Sequence, residues 1–243
     1  MTARPFLTAE WRFLAMLNFE IAPATLAPCV PRETELDSFD GRTLVSLVAF
    51  RFLRTRVLGA PIPFHRNFTE VNLRFYVRRM GAEGWRRGVV FIREFVPRPA
   101  IAWVARLCYG EPYRTSAMRH RIEMTDAAAG APGVVEYQWK SAGRWHTISV
   151  ETGGAPAVPE SRSEAAFIAE HYWGYTAQRD GASREYRVTH QPWRVWPATA
   201  TLDCDATSLY GSAFASALSA PPCSAFVAEG SPVAVYRSET LAV

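Results

Sequence analysis

Residues 67–77 read NFTEVNLRFYV, and no other stretch limits the fold as tightly. Thr69, Val71, Leu73, Phe75 and Val77 alternate with Glu70, Asn72, Arg74 and Tyr76. Successive side chains of a strand point to opposite faces, so the segment is a strand with one apolar and one polar face. The apolar face has to pack against something. The polar face has two destinations. Facing bulk water, it is a solvated surface on which Glu70 and Arg74 form a weak pair. Facing inward across a closed sheet, the same four side chains line a binding site. Spacing alone leans slightly toward the solvated face.

Other segments alternate similarly. Residues 42–53 (RTLVSLVAFRFL) are rich in β-branched and aromatic side chains. Residues 88–95 (GVVFIREF) follow a Gly-Trp-Arg-Arg turn and pair with residues 67–79 as a hairpin. Residues 134–139 and 144–151 flank Ser-Ala-Gly, a short glycine-containing loop, and make a second hairpin. Residues 184–190 and 233–240 read as late strands. Helical signals are fewer. Residues 99–108 open on proline and are followed by Gly110, the usual asymmetry of a helix, with Ile101, Val104, Leu107 and Cys108 on one face. Ser161 and Glu164 have capping-box spacing ahead of a helix over residues 165–175. A short helix is expected at residues 23–27. Residues 126–133 (DAAAGAPG) read as a flexible loop, and the Ala/Ser-rich residues 210–222 as a helix or a loose connection. With no internal repeat, the expectation is one α+β domain over residues 1–243, mainly antiparallel β with a few packed helices.

Composition agrees with a folded, strand-rich chain. Hydrophobic residues make up 49% and charged residues 21%, too few charges for disorder. The 13% aromatic content, with eight Trp, suits a β-rich core or an aromatic-lined pocket. All basic residues but one, Lys140, are arginines, scattered and accompanied by acids. A nucleic-acid partner would call for a clustered basic stripe, so none is expected, and Arg86-Arg87 reads as an exposed turn. Cys29, Cys108, Cys204 and Cys223 form no CxxC pair and read as reduced thiols. The N-terminus has no apolar h-region, and no apolar run is long enough to cross a bilayer. A soluble cytoplasmic protein without a membrane partner is expected.

Chemistry is narrowed mainly by exclusion. The histidines, His65, His120, His146, His171 and His190, show no HxH, HxxxH or HExxH spacing, so no metal site is expected. There is no GxSxG elbow, and Gly153-Gly154 lacks the context of a phosphate loop, so no nucleotide cofactor is expected. Lys140, at a hairpin end, reads as a solvated turn residue rather than an amine catalyst. What remains is the polar strand face. Arg74 can clamp a carboxylate with two parallel hydrogen bonds, Glu70 or Tyr76 can move protons, and Asn72 can hold a carbonyl. His190, before Gln191, Pro192 and Trp193, is either a general base or a hydrogen-bonded post. His171, Tyr172 and Trp173 read as a packing surface.

The order of Trp11-Arg12, Asn18, Pro23, Leu26, Val30-Pro31, residues 70–77, Ala105-Arg106, Pro112-Tyr113, Phe167, Glu170, Tyr172, His190 and Pro192-Trp193 resembles the YqjF-like family of uncharacterised bacterial proteins. The resemblance runs over residues 10–193 and is weak after Pro197. His171 stands where that family usually has arginine. The family is similar in fold to acetoacetate decarboxylase. This implies a cone-like antiparallel β-barrel around a cavity, with Glu70, Asn72, Arg74 and Tyr76 inside and the apolar face under the helices. The decarboxylase's Schiff-base lysine does not carry over, because the corresponding Glu111, Pro112, Tyr113 and Arg114 include no lysine. The resemblance therefore implies a cofactor-free small-molecule enzyme of lyase, isomerase or cyclase type, acting on an organic acid, β-keto or polyketide-like substrate. Glu70, Arg74, Tyr76, Tyr113 and His190 are expected to do the chemistry, and Asn72, Arg106, Arg114 and Trp193 to bind substrate. The rival readings are a carrier or sensor with the same cavity, and a structural protein, such as a homodimer, whose barrel is filled by side chains.

Overall fold

A computed structural model describes residues 4–124, 127–178 and 180–241. In chain order its strands are β1 (Leu7–Glu20), β2 (Glu35–Leu36), β3 (Leu44–Val57), β4 (Ala60–Pro61), β5 (Phe68–Gly81), β6 (Gly84–Val96), β7 (Tyr113–Thr115), β8 (Met118–Glu123), β9 (Gly133–Ser141), β10 (Arg144–Thr152), β11 (Trp173–Ala177), β12 (Ser183–His190), β13 (Val195–Asp203), β14 (Ser224–Ala228), β15 (Pro232–Val235) and β16 (Glu239–Thr240). The helices are α1 (Pro23–Leu26), α2 (Pro99–Tyr109), α3 (Glu164–Ala169), α4 (Ala206–Tyr210) and α5 (Ser212–Ser219).

All these strands belong to one sheet, and part of it closes on itself. The ring runs β1–β3–β5–β6–β11–β12–β15 and returns to β1. Pairing is antiparallel except where β7 and β11 run parallel to β6. The β6–β11 join is only two residue pairs long, Trp173↔Gly88 and Gly174↔Val89, so this is a ring of strands and not a regular barrel. Strand β1 is the fork. Its first half pairs with β15 and its second half with β14, while β3 lies along its other edge. From β14 the sheet continues through β13, β10, β9 and β8 as a wing.

The wing folds back over the outer face of the ring. Val135, Tyr137, Trp139, Ile148 and Val150 of the wing share one apolar cluster with Leu17, Leu47, Val71, Leu73 and Phe75. A second cluster lines the ring interior with Leu14, Met16, Val48, Phe50 and Phe68. Strands β1, β3 and β5 are therefore covered on both faces, and β5 is buried from Phe68 through Val77. The apolar face of residues 67–77 packs under the wing, joined by Leu209 and Phe214 of α4 and α5, and not under helices alone.

Three bulges re-aim the ring strands. Phe13 and Leu14 together oppose Phe50, between Arg12↔Arg51 and Ala15↔Ala49. Arg54 and Thr55 oppose Ala9, between Thr8↔Arg56 and Glu10↔Leu53. In β6, Ile92 is the extra residue between Leu73↔Arg93 and Arg74↔Phe91. Phe13 and Arg54 take φ values of 53° and 54°. An extra residue in a period-two ladder exchanges the faces beyond it. On β1 the interior set thus passes from Trp11 to Leu14 and Met16.

Several local expectations are corrected. The β5–β6 turn is at residues 82–83, so Trp85, Arg86 and Arg87 lie in strand β6, where Arg86 pairs with Glu185 and Arg87 with Asp37. Helix α2 ends on Gly110 in the left-handed region, as its sequence implies, yet it buries Ala102 and Tyr109 and leaves Leu107 exposed. The cap of α3 is Ser163, which accepts from the Ala166 amide, and not Ser161. That helix stops at Ala169, and Trp173–Ala177 form a strand. The last expected strand is broken into β15 and β16. Residues 212–219 are helical. Of the loop at 126–133, Asp126 lies outside the described residues, and Ala127–Ala129 make one 3-10 turn.

At the fork, Gly230 (φ 81°) links β14 to β15 against β1, and the next residue's carbonyl accepts from the Trp11 amide at 3.0 Å. A Cβ at Gly230 would collide with the Trp11 carbonyl oxygen. Gly230→Ala is expected to lower stability by about 2 kcal/mol or more, because strain and clash act together. Urea denaturation of the variant beside wild type measures it.

Candidate active site

The ring interior is not filled. It holds a cavity of about 220 Å³, walled largely by apolar side chains including Trp11, Phe50, Phe52, Phe68, Phe91 and Ile101. Into these walls project Glu70, Asn72, Arg74, Glu94, Glu111, Tyr113, His171 and Tyr186. The polar face of β5 thus looks inward. Same-face residues two apart on a strand are about 7 Å apart and those four apart about 13 Å. Accordingly Glu70 and Arg74 form no ion pair, and Asn72 lies between them.

The acids gather at one corner. Asn72 donates its Nδ2 to Glu70 Oε1 at 3.0 Å, and Tyr113 its hydroxyl to Glu70 Oε2 at 2.9 Å. Glu94 lies opposite Asn72 in the β5–β6 register and beside Tyr113 in the parallel β6–β7 register. The Ile92 bulge puts it there: Val89 and Phe91 face the cavity before the bulge, and Glu94 after it. Glu111, just past the end of α2, accepts at Oε1 from Tyr186 at 2.9 Å and from Thr176 at 3.0 Å. Glu94 Oε2 and Glu111 Oε2 have no partner.

Burial dominates the electrostatics here. Removal from water pushes Glu70 and Glu111 up to about 7. Glu94 rises well above the usual carboxylate range, from burial and then from the like charges of Glu111 and Glu70. Burial and the neighbouring Glu70 also raise Tyr113 well above its ordinary value, so it remains a hydrogen-bond donor. On the far side of Asn72, Arg74 donates to the Ile168 carbonyl at 3.3 Å and keeps its Nε unpartnered. His171 has neither ring nitrogen partnered. Burial, then Arg87 and Arg74, lower its pKa far enough to keep it neutral.

Of the residues expected from sequence, the cavity brings together Glu70, Asn72, Arg74 and Tyr113. Tyr76 points to the same side of β5 but does not line it; its hydroxyl is 2.5 Å from Ser46 Oγ, and its ring packs on Phe167 and His171. His190 stacks on Trp193 with ring centroids 4.1 Å apart and stands outside the lining. Trp193 is also a post, donating to Ser231 Oγ at 2.9 Å. Arg106 and Arg114 are exposed on the outer sides of α2 and β7. Lys140, the lone lysine, is exposed at the end of β9 and does not reach the cavity. Sequence reasoning missed Glu94, Glu111 and His171. Among the described residues no group of three His, Cys, Asp or Glu side chains has the arrangement to hold a metal ion.

These features define a mostly β chain of the acetoacetate decarboxylase-like fold. Acetoacetate decarboxylase from Legionella pneumophila subsp. pneumophila str. Philadelphia 1 superimposes with a TM-score of 0.67 at 14% identity, covering 99% of this chain and 88% of that one. The enduracididine biosynthesis enzyme MppR, in complex with pyruvate, gives 0.68 at 11% identity over 100% and 92% of the two chains. The chain belongs to the family of uncharacterized conserved proteins designated DUF2071, whose pattern it matches over residues 8–232. The uncharacterized protein YqjF of Bacillus subtilis (strain 168) is 26% identical over 195 residues, which span 79% of this chain and 76% of that relative.

Two outcomes follow from the acid corner. A carboxyl whose pKa is raised in the fold stabilises the folded state relative to an unfolded value near 4.5. That contribution is fully present below about pH 4.5 and is lost as pH rises through the raised value, which is about 7 for Glu70 and Glu111 and is displaced in the same direction for Glu94. Glu94→Gln should therefore raise the urea midpoint over wild type at pH 8 and leave it nearly unchanged at pH 4.5. Separately, Tyr186 reaches Glu111 by lying across Gly174, its cross-strand partner, where any Cβ would meet the tyrosine ring. Gly174→Ala should displace Tyr186, deprive ionised Glu111 of a donor, and raise its pKa further, read by carboxyl carbon NMR.

Proposed function

We propose that the cavity is an active site for proton transfer at carbon next to a carbonyl, in a small organic acid or keto acid with an apolar remainder. The observation that carries this is where the unpartnered polar atoms lie. Eleven buried side-chain nitrogens and oxygens among the described residues have no hydrogen-bond partner; eight of them, on Trp11, Thr55, Asn72, Arg74, Glu94, Glu111 and both nitrogens of His171, belong to residues lining this one cavity. Buried polar groups are otherwise almost always satisfied, so a concentration of this kind fits a polar ligand.

The roles follow from the environments. Glu70, with a pKa of about 7, is half ionised at neutral pH and suits a general base. Glu94, held protonated, donates to the carbonyl oxygen as it gains charge, the use to which an apolar site puts a neutral carboxylic acid. Arg74, about 7 Å further along β5 than Asn72, takes the carboxylate. The enol so formed is reprotonated elsewhere, eliminates, or adds to a second group, which covers isomerase, lyase and cyclase outcomes. The cavity is smaller than the roughly 300–1,000 Å³ of drug-sized sites, which favours a small metabolite. MppR, of like fold, holds the keto acid pyruvate.

Solvent exchange tests it. Pyruvate, 4-methyl-2-oxopentanoate and phenylpyruvate are incubated in D₂O with the protein, and loss of the C3 proton signal is followed by NMR. Wild type should accelerate exchange of at least the apolar keto acids, with a rate rising through about pH 7, and Glu70→Gln should lower it by roughly 10²–10⁴. A keto acid that binds by saturation-transfer NMR without exchange would favour the carrier reading. No binding by any of the three would sink both.

A further inference from the structure

The cavity reaches the surface. Among its lining residues only Ile62 and Ala100 are exposed, and they mark where it opens, between the loop at residues 58–67 and helix α2. Exposed large apolar side chains concentrate on these two segments. Leu58, Ile62 and Phe64 project from the loop, Phe64 at 86% exposure, and Trp103 and Leu107 from one outer face of α2, at 65% and 64%. Only three other exposed large apolar side chains occur among the described residues: Met80 and Trp85 at the far end of β5 and β6, and Val158. An apolar cluster this exposed marks an interaction surface.

The charge carried by these two segments is of one sign. Residues 58–67 and 97–110 contain no acid. Arg56, Arg66, Arg98 and Arg106 are exposed on or beside these segments, and among the described residues none is paired with a carboxylate. This bears on the occupant. A two-fold contact between copies of the chain sets a patch against itself, which here would place arginine against arginine. An anionic lipid surface complements both features, taking the arginines at its headgroups and the aromatic and aliphatic tips at the boundary of its acyl region.

We propose that the rim formed by residues 58–67 and α2 docks on anionic phospholipid membranes, mouth toward the bilayer, so that the cavity opens onto the lipid surface. This is peripheral contact. No helix among the described residues is long and apolar enough to cross a membrane, and none is needed. The proposal does not depend on the proton chemistry assigned to the interior.

Vesicle co-sedimentation of the full chain tests it, with phosphatidylcholine vesicles beside vesicles carrying phosphatidylglycerol. Wild type should pellet with the anionic vesicles, release at high salt, and largely ignore the neutral ones. Each rim arginine removed should weaken binding about fivefold, so Arg66→Gln with Arg98→Gln should cost roughly 25-fold. Phe64→Ser should weaken it too, with an unchanged melting temperature as the folding control. Equal partitioning to both vesicle types, no partitioning, or an anionic binding untouched by these substitutions would overturn the proposal. So would a sedimentation-velocity dimer that Phe64→Ser dissociates, since the rim would then belong to a second copy.

Discussion

A strand buried on both faces has no solvated side on which to put polar residues, and β5 is such a strand. The wing covers one face and the closed ring the other. Every polar group that β5 carries must then be matched inside the protein, and the matching shapes the interior. Asn72 and Tyr113 hold Glu70, while Arg74 leans on a main-chain carbonyl. Tyr76 is fixed through Ser46, which in turn donates to Asn18 at 2.7 Å. What is left unmatched opens onto the cavity. Desolvation that would be a liability in a core becomes here the means of holding three carboxyl groups well above their ordinary range.

The two-sided burial traces back to the fork in β1. One strand serves both ring and wing because its ladder is interrupted at Phe13, which lets the first half follow β15 into the ring and the second half follow β14 into the wing. Gly230 permits the crossing at close range. The cavity and the inter-sheet core are thus opposite sides of the same three strands, and a change in the packing of Leu73 or Val71 under the wing shifts the backbone that aims Asn72 and Arg74.

How much was legible in the sequence follows from where the ladders are regular. Between Phe68 and Val77, β5 carries no extra residue on its own strand, and period-two reading separates its faces correctly. Strand β1 gives no such signal, because Phe13 moves its interior-facing positions from odd to even numbers midway, and beyond it both faces are apolar, with Leu14 and Met16 on one and Ala15, Leu17 and Phe19 on the other. Glu94 escaped for the same reason: strict alternation from Val90 through Ile92 places it among the residues under the wing. His171 and Glu111 carry no periodic signature at all, since each follows the end of a helix. The first was further hidden by a helix expected to run to residue 175, whereas the aromatic stretch after Tyr172 pairs with β6 and β12 instead, tertiary pairing overriding the local pattern. The rim arginines look scattered in the sequence because the rim is assembled from segments about thirty positions apart in the chain.

The bulge at Ile92 also determines what kind of sequence change reaches the chemistry. Substitution alters one side chain and leaves the facing of β6 as it is. Removing the single extra residue would restore strict alternation and turn Glu94 away from the cavity while bringing its neighbours inward, exchanging acid for apolar or basic groups in one step. Diversity of function on this scaffold is therefore to be sought in the lengths of its strands as much as in their residues, and an alignment that closes a one-residue gap in β6 would compare side chains that face different compartments.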